Sequence, residues 1–183
     1  MNRSGPTLPG VILKTVVAHT ITYFVMGLLA STILDYGRWF AESSLNVMMR
    51  QMSDPMVMAA PAFQPIRGVL FGIVFYLLRE PFFGRKRGWL VMWLTLVVLG
   101  ILGTFGPAPG SLEGMFFTIF PLWVHLRGLP EGLLQSLFLS LLLFYWVNHP
   151  EKRWLNWALG ILFFILLALP ILGLLVTRPT PGG

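Results

Sequence analysis

Arg67 is the residue whose type and placement most demand a chemical explanation. It stands in the middle of an apolar run from Met56 to Leu78, 11 residues from either end, or about 16 Å along a helix axis. An arginine at that depth in a membrane is costly unless it is paired or faces a wet cavity. The partners expected for it are Glu113 first, then Asp54 and Glu131, or carbonyls freed near Pro61 and Pro65, because a proline leaves the carbonyl four residues earlier without its helical donor. If the helix starts instead at Pro65, Arg67 snorkels to the headgroups and is an ordinary anchor.

Other polar residues could join it. Glu113 follows the breaker Gly106-Pro107-Ala108-Pro109-Gly110-Ser111, where a carboxylate suits a helix amino terminus. Arg127 and Glu131 are four apart across Pro130 and suit a local pair. With Gln64, Arg67 and Ser111 they could line an outward-facing polar pocket. His19, beside Thr20 and Thr22, suits a proton relay or a ligand group, the alternative being a histidine bonded to a neighbouring helix. His125 and His149 fall near segment ends, and the three histidines show no metal spacing, so no metal is expected. Met48, Met49, Met52, Met56 and Met58 offer thioethers of the kind Cu(I) accepts, but an adaptable apolar face is the stronger reading. No phosphate loop, nucleophile elbow or paired-carboxylate constellation is present. No catalytic residue and no cofactor are assigned, and a membrane-embedded enzyme would require Glu113, His19 or His125 to converge in one cavity.

The elements that must position these residues are helices in lipid. Of 183 residues 56% are hydrophobic and 11% charged, with mean hydropathy +0.75, too apolar for a water-soluble domain. Long unbroken apolar runs select helices over a barrel. The expected fold is therefore all-α: an integral membrane bundle of about five transmembrane helices, an interfacial helix and a short re-entrant or interfacial segment. Expected spans run from about Thr15 to Leu34, Met56 to Leu78 with a bend, Trp89 to Phe105, Glu131 to Val147, and Trp154 to Val176 with Pro170 inside it. Trp39 to Met52 has apolar residues at helical spacing opposite Glu42, Ser43, Ser44, Asn46, Arg50 and Gln51, the pattern of a helix lying in the interface. Met115 to Leu126 is too short to cross and contains Pro121. Residues 1–177 form one domain and 178–183 a short tail expected to be disordered.

The charge of +6 belongs to topology rather than to nucleic acid, since the basic residues flank apolar segments. Five crossings place Arg3, Lys14, Arg79, Arg85, Lys86, Arg87, Lys152 and Arg153 on one side. Arg38, Arg50, Arg67, Arg127 and Arg178 fall on the other, interspersed with acids. The positive-inside rule then puts the amino terminus in the cytoplasm. The amino terminus lacks a cleavable secretory pattern. With no cysteine, disulfides and thiolate sites are excluded. No inverted repeat is evident.

Gln64-Pro65-Ile66-Arg67-Gly68, the Trp89–Phe105 span and the Gly106-Pro107-Ala108-Pro109-Gly110-Ser111-Leu112-Glu113-Gly114 loop resemble a pattern found in uncharacterised bacterial multi-pass inner-membrane proteins. The resemblance covers about the middle third of the chain. It implies a bacterial membrane origin and transfers no site. The expected function is a noncatalytic membrane component acting through membrane lipids or a partner, either another membrane protein or a second copy. The alternative is a small transporter or channel built around Arg67 and Glu113.

Overall fold

The computed structural model describes residues 5–41, 43–46 and 48–176. The tail at 178–183, Arg3, Arg178 and Glu42 lie outside the described residues. The chain is 79% helix with no strand among those residues. Its elements are α1 (Leu8–Ile33), α2 (Tyr36–Ala41), α3 (Ser43–Asn46), α4 (Pro55–Ala59), a 3-10 turn (Ala60–Phe63), α5 (Gln64–Leu77), α6 (Arg79–Phe83), α7 (Gly88–Val97), a π-helical turn (Val98–Leu102), α8 (Leu112–Phe117), α9 (Leu122–Asn148) and α10 (Arg153–Val176).

Four stretches are long and apolar enough to cross a membrane: Leu8–Ile33, Pro55–Leu77, Leu122–Asn148 and Arg153–Gly173. The fifth apolar helix is shorter, ten residues of α7 followed by the five-residue π turn. It ends at Leu102 rather than at Phe105. The first helix starts at Leu8, a full two turns before the expected Thr15, because Pro9 is tolerated in a first turn. Lys14 is then inside the helix, its Nζ donating to the Trp146 carbonyl at 2.9 Å.

Pro55–Leu77, where a bent span is expected, is an apolar stretch interrupted by the 3-10 turn, and that turn follows from two prolines. Pro61 has no N–H for the Val57 carbonyl, so Ala60 N–H takes it; Pro65 has none for Pro61, so Gln64 N–H takes that one. Both are i to i+3 bonds, which tighten the chain into the 3-10 turn. The carbonyls that might have capped Arg67 are satisfied by the backbone itself.

Two expectations about segments fail. The helix expected over Trp39–Met52 does not reach Met52: residues 48–52 are turn, bend and irregular backbone. Gln51 Nε2 donates to the Phe40 carbonyl at 2.9 Å and to Asn46 Oδ1 at 3.0 Å, folding the segment back. Trp39 and Leu45 are thereby buried against Phe120 and Val124. Nor is Met115–Leu126 one segment. It is cut at residues 118–121, where Pro121 stands in extended backbone just before α9. α9 begins at Leu122, nine residues before Glu131, and runs through Pro130. Pro130 removes one helical bond, and the burial of Val124 and His125 on the preceding turns holds the helix together across it.

At the end of the bundle near the 149–152 turn, Val11, Phe75, Phe82, Met92, Leu139 and Leu143 form a filled core. The opposite end, near Asp35 and the methionines, is where the structure leaves space.

Candidate functional site

Asp35 turns the chain out of α1 with φ +47°, a left-handed conformation that aspartate tolerates better than most residues. That turn presents three groups to α9. The Tyr36 hydroxyl donates to the Glu131 carboxylate. Arg127 Nη2 donates to the Leu34 carbonyl at 2.5 Å, and its guanidinium lies 4.7 Å from the centre of the Trp39 ring. Arg127 and Glu131 therefore do not form the expected local pair. Each has a partner on the 34–39 turn, and for Arg127 that partner is a buried-end carbonyl and an aromatic face that suit a planar cation. Burial first, and then the Glu131 carboxylate, push the Tyr36 phenol above its ordinary range.

Beneath this turn lies an open cavity of about 870 Å³. Tyr23, Phe24 and Gly27 of α1 form one wall, and Met48, Met49, Met52 and Met56 another. Val57, Ala60 and Pro61 close the third, with Gly128 and Glu131 of α9 behind. It is thus mostly apolar with a few convergent polar groups, the usual character of a small-molecule site. Gly27 keeps it open: a Cβ placed there meets only Glu131 Oε1, at 3.9 Å. Trp39 also lines it, and the buried indole Nε1–H has no acceptor. Arg50 is at the rim, held by Asp54 at 2.8 Å. Asp54 also caps α4 by accepting from Met56 N–H, and these two hydrogen bonds hold its carboxyl below the usual range.

A second cavity of about 310 Å³ adjoins the first through Trp39, Phe40, Met49, Gly128 and Glu131. A third, about 90 Å³, shares Gly100, Ile101, Gly132 and Gln135 with the second and reaches His19 and Arg67. Glu131 stands where the first two meet.

The expected polar pocket is therefore split. His19 and Gln64 are together, His19 Nε2 lying 3.2 Å from Gln64 Oε1. Arg67 is beside His19 in the third cavity, its guanidinium 5.2 Å from the Phe71 ring centre. No acidic partner and no carbonyl cap holds it, contrary to expectation: Asp54 is occupied by Arg50, Glu131 by Tyr36, and the proline carbonyls by backbone. Glu113 is exposed on α8 and forms no ion pair, because the Arg50–Asp54 bridge is the one present among the described residues. Ser111 is buried and structural, donating to the Ala108 carbonyl at 2.7 Å and capping Gly114 N–H at 2.9 Å.

His125 is also structural. Its Nδ1 accepts from Gly110 N–H at 3.1 Å, so the ring proton is on Nε2, which faces Thr118 Oγ1 at 3.3 Å; Thr118 in turn donates to the Gly114 carbonyl. The ring pins the Pro/Gly loop and α8 to α9, with Gly110 at φ +88°. His19 borders one cavity, His125 another and Glu113 neither, so the convergence an enzyme would need is absent from these cavities. No cluster of three histidine, aspartate or glutamate side chains placed to hold a metal occurs among the described residues.

The residues that organise the site and that sequence reasoning passed over are Tyr36, Trp39, Gly27 and Gln135. The Asp35-Tyr36-Gly37-Arg38-Trp39 string was legible only as the close of a span. Tyr36 is 95 residues from Glu131 in sequence, and nothing local announces that pairing.

Four membrane-length apolar helices packed with shorter ones make this an all-helical membrane protein. No known protein family, curated protein or solved structure matches the chain.

Proposed function

We propose that the chain is a noncatalytic component of a bacterial inner membrane that holds the acyl chain of a lipid in the methionine-walled cavity. The observation that carries the proposal is the 870 Å³ cavity itself, apolar on three sides, with Arg50 at its rim. Acyl chain suits the methionine and α1 walls, thioethers being adaptable apolar surface. In this reading α7 crosses as a short fifth span and α8, with exposed Phe116 and Phe117, lies in the interface. The basic residues flanking α6 and the 149–152 turn then face the cytoplasm together with the amino terminus.

A transport role around Arg67 and Glu113 has less support. The two residues belong to different places, and the other end of the bundle is filled by Phe75, Phe82, Met92, Leu139 and Leu143.

Native mass spectrometry after gentle detergent extraction tests the proposal. Wild-type protein is expected to retain one lipid. Gly27→Trp, which fills the cavity from a position with open space, is expected to lose it, while His149→Ala at the far end keeps it. Equal retention by Gly27→Trp and wild type, or a wild-type protein that keeps no lipid, would count against it.

A further inference from the structure

We infer that the tight turn at residues 84–88 is a seat for the headgroup phosphates of acidic phospholipids, through Arg85, Lys86 and Arg87. The inference is independent of the methionine-walled cavity, which lies at the other end of the bundle, and rests on how charge is distributed over the fold. Phe82 and Phe83 of α6 share a core with Leu143 and Val147 of α9, so the turn after α6 and the turn after α9 lie at one end. Of the eleven basic residues described, seven are at that end against two acids, Glu80 and Glu151; the rest of the described chain carries four of each. All of the net charge of the described residues is therefore at one end, and a surface so polarised draws anions.

The seven do not present themselves equally. Lys14 and Arg79 donate to the carbonyls of Trp146 and Tyr76 at 2.9 and 3.2 Å, and the Lys152 ammonium lies 4.7 Å from the centre of the Tyr145 ring. Those three are turned onto the bundle. Arg85, Lys86 and Arg87 are instead consecutive and exposed, on a turn whose shape is fixed from beneath. Buried Phe82 and Phe83 anchor it, Gly88 N–H donates to the Arg85 carbonyl at 3.0 Å, and a Cβ at Gly88 would stand 1.9 Å from the Phe82 carbonyl oxygen. The surroundings say what kind of anion meets them. Trp89 comes two residues after Arg87, and at the other turn Trp154 follows Arg153 and is 64% exposed, with Trp157 74% exposed. Tryptophans beside basic residues at a span's end mark the level of the headgroups, so the phosphates that these cations meet belong to the leaflet rather than to a soluble polyanion. Each basic residue close to an acidic lipid surface strengthens binding about fivefold.

The test is thermal unfolding of the purified full chain in uncharged detergent, titrated with phosphatidylglycerol or with phosphatidylcholine of the same acyl chains. Inorganic phosphate and a single-stranded oligonucleotide serve as water-soluble anions. Phosphatidylglycerol is expected to stabilise saturably and more than phosphatidylcholine, with an advantage that shrinks at high salt. Lys86→Gln should raise the half-saturating amount of phosphatidylglycerol about fivefold. Arg85→Gln/Lys86→Gln/Arg87→Gln should lose most of the advantage while melting like wild type in detergent alone, and Arg85→Lys/Arg87→Lys, which keeps the three charges, should keep it. Gly27→Trp should also keep it, so a failure of the cavity reading and a failure of this one are told apart. Equal stabilisation by the two lipids, an equal response to either water-soluble anion, or an undiminished phosphatidylglycerol advantage in both glutamine variants would overturn the inference.

Discussion

Replacing Gly68 and Gly72 together by valine is expected to abolish the folded bundle in detergent, and either change alone to lower its melting temperature. The two glycines are one turn apart on the face of α5 that meets α1. A Cβ at Gly68 would sit 2.7 Å from Val16 Cα, and one at Gly72 2.7 Å from Ile12 Cα. Both obstacles are backbone, so no side chain can rotate out of the way and the helices would have to separate. Between lipid-embedded helices close backbone approach is a principal source of attraction, and overpacking a well-packed contact costs about 1–3 kcal/mol. Because the two sites share one interface, their effects will not simply add. Alanine should already destabilise and valine more so, whereas Gly160→Ala, in open space on α10, should be neutral or slightly stabilising. Thermal unfolding in detergent separates these outcomes. A Gly68→Val/Gly72→Val protein that melts like wild type would mean that α1 and α5 do not pack as described.

The second large effect is expected at Tyr36 and Glu131. Tyr36→Phe leaves a half-buried carboxylate without its donor, and Glu131→Leu leaves the hydroxyl without its acceptor. Each single change should cost about 1–3 kcal/mol, the penalty for stranding one member of a partly buried pair. Removing both is a different case, since two apolar groups can replace a hydrogen-bonded pair at little cost. The double variant Tyr36→Phe/Glu131→Leu should therefore be more stable than the sum of the singles predicts. Chemical unfolding of the four proteins measures that coupling. Additive losses would mean that the two groups do not bond.

The apolar runs located α10 to within one residue at its start, and the 3-10 turn within Pro55–Leu77 falls where Pro61 and Pro65 interrupt the helix. Prolines misled where tertiary contacts outweighed one lost hydrogen bond: Pro130 lies inside α9, and the helix start expected there moved back to Leu122. The Trp39–Met52 periodicity marked helical residues, yet Trp39 and Leu45 are buried and the chain is out of helix by residue 48. Gly68 and Gly72 carry the small-residue spacing of a close helix contact, and that signal was present in the sequence without being read. Within the candidate site, His19, Gln64, Arg67 and Glu131 stand out in the sequence by residue type alone. The partner of Glu131 does not, because Tyr36 reaches it through the packing of helices remote in sequence. Ser111 and His125 were visible as polar residues in apolar surroundings, but their role is to hold a Pro/Gly loop.

The proposal of a lipid in the methionine-walled cavity is tested most directly by site-specific photocrosslinking. A benzophenone amino acid would be placed at Met56 on the cavity wall and, separately, at Leu13, which is 65% exposed on the bundle's outside. Each protein is washed through detergent exchange to strip bulk lipid, irradiated, digested and analysed by mass spectrometry. The account predicts a lipid adduct on the Met56 peptide and none at Leu13. Adducts of equal yield at both positions, or none at either, would contradict it.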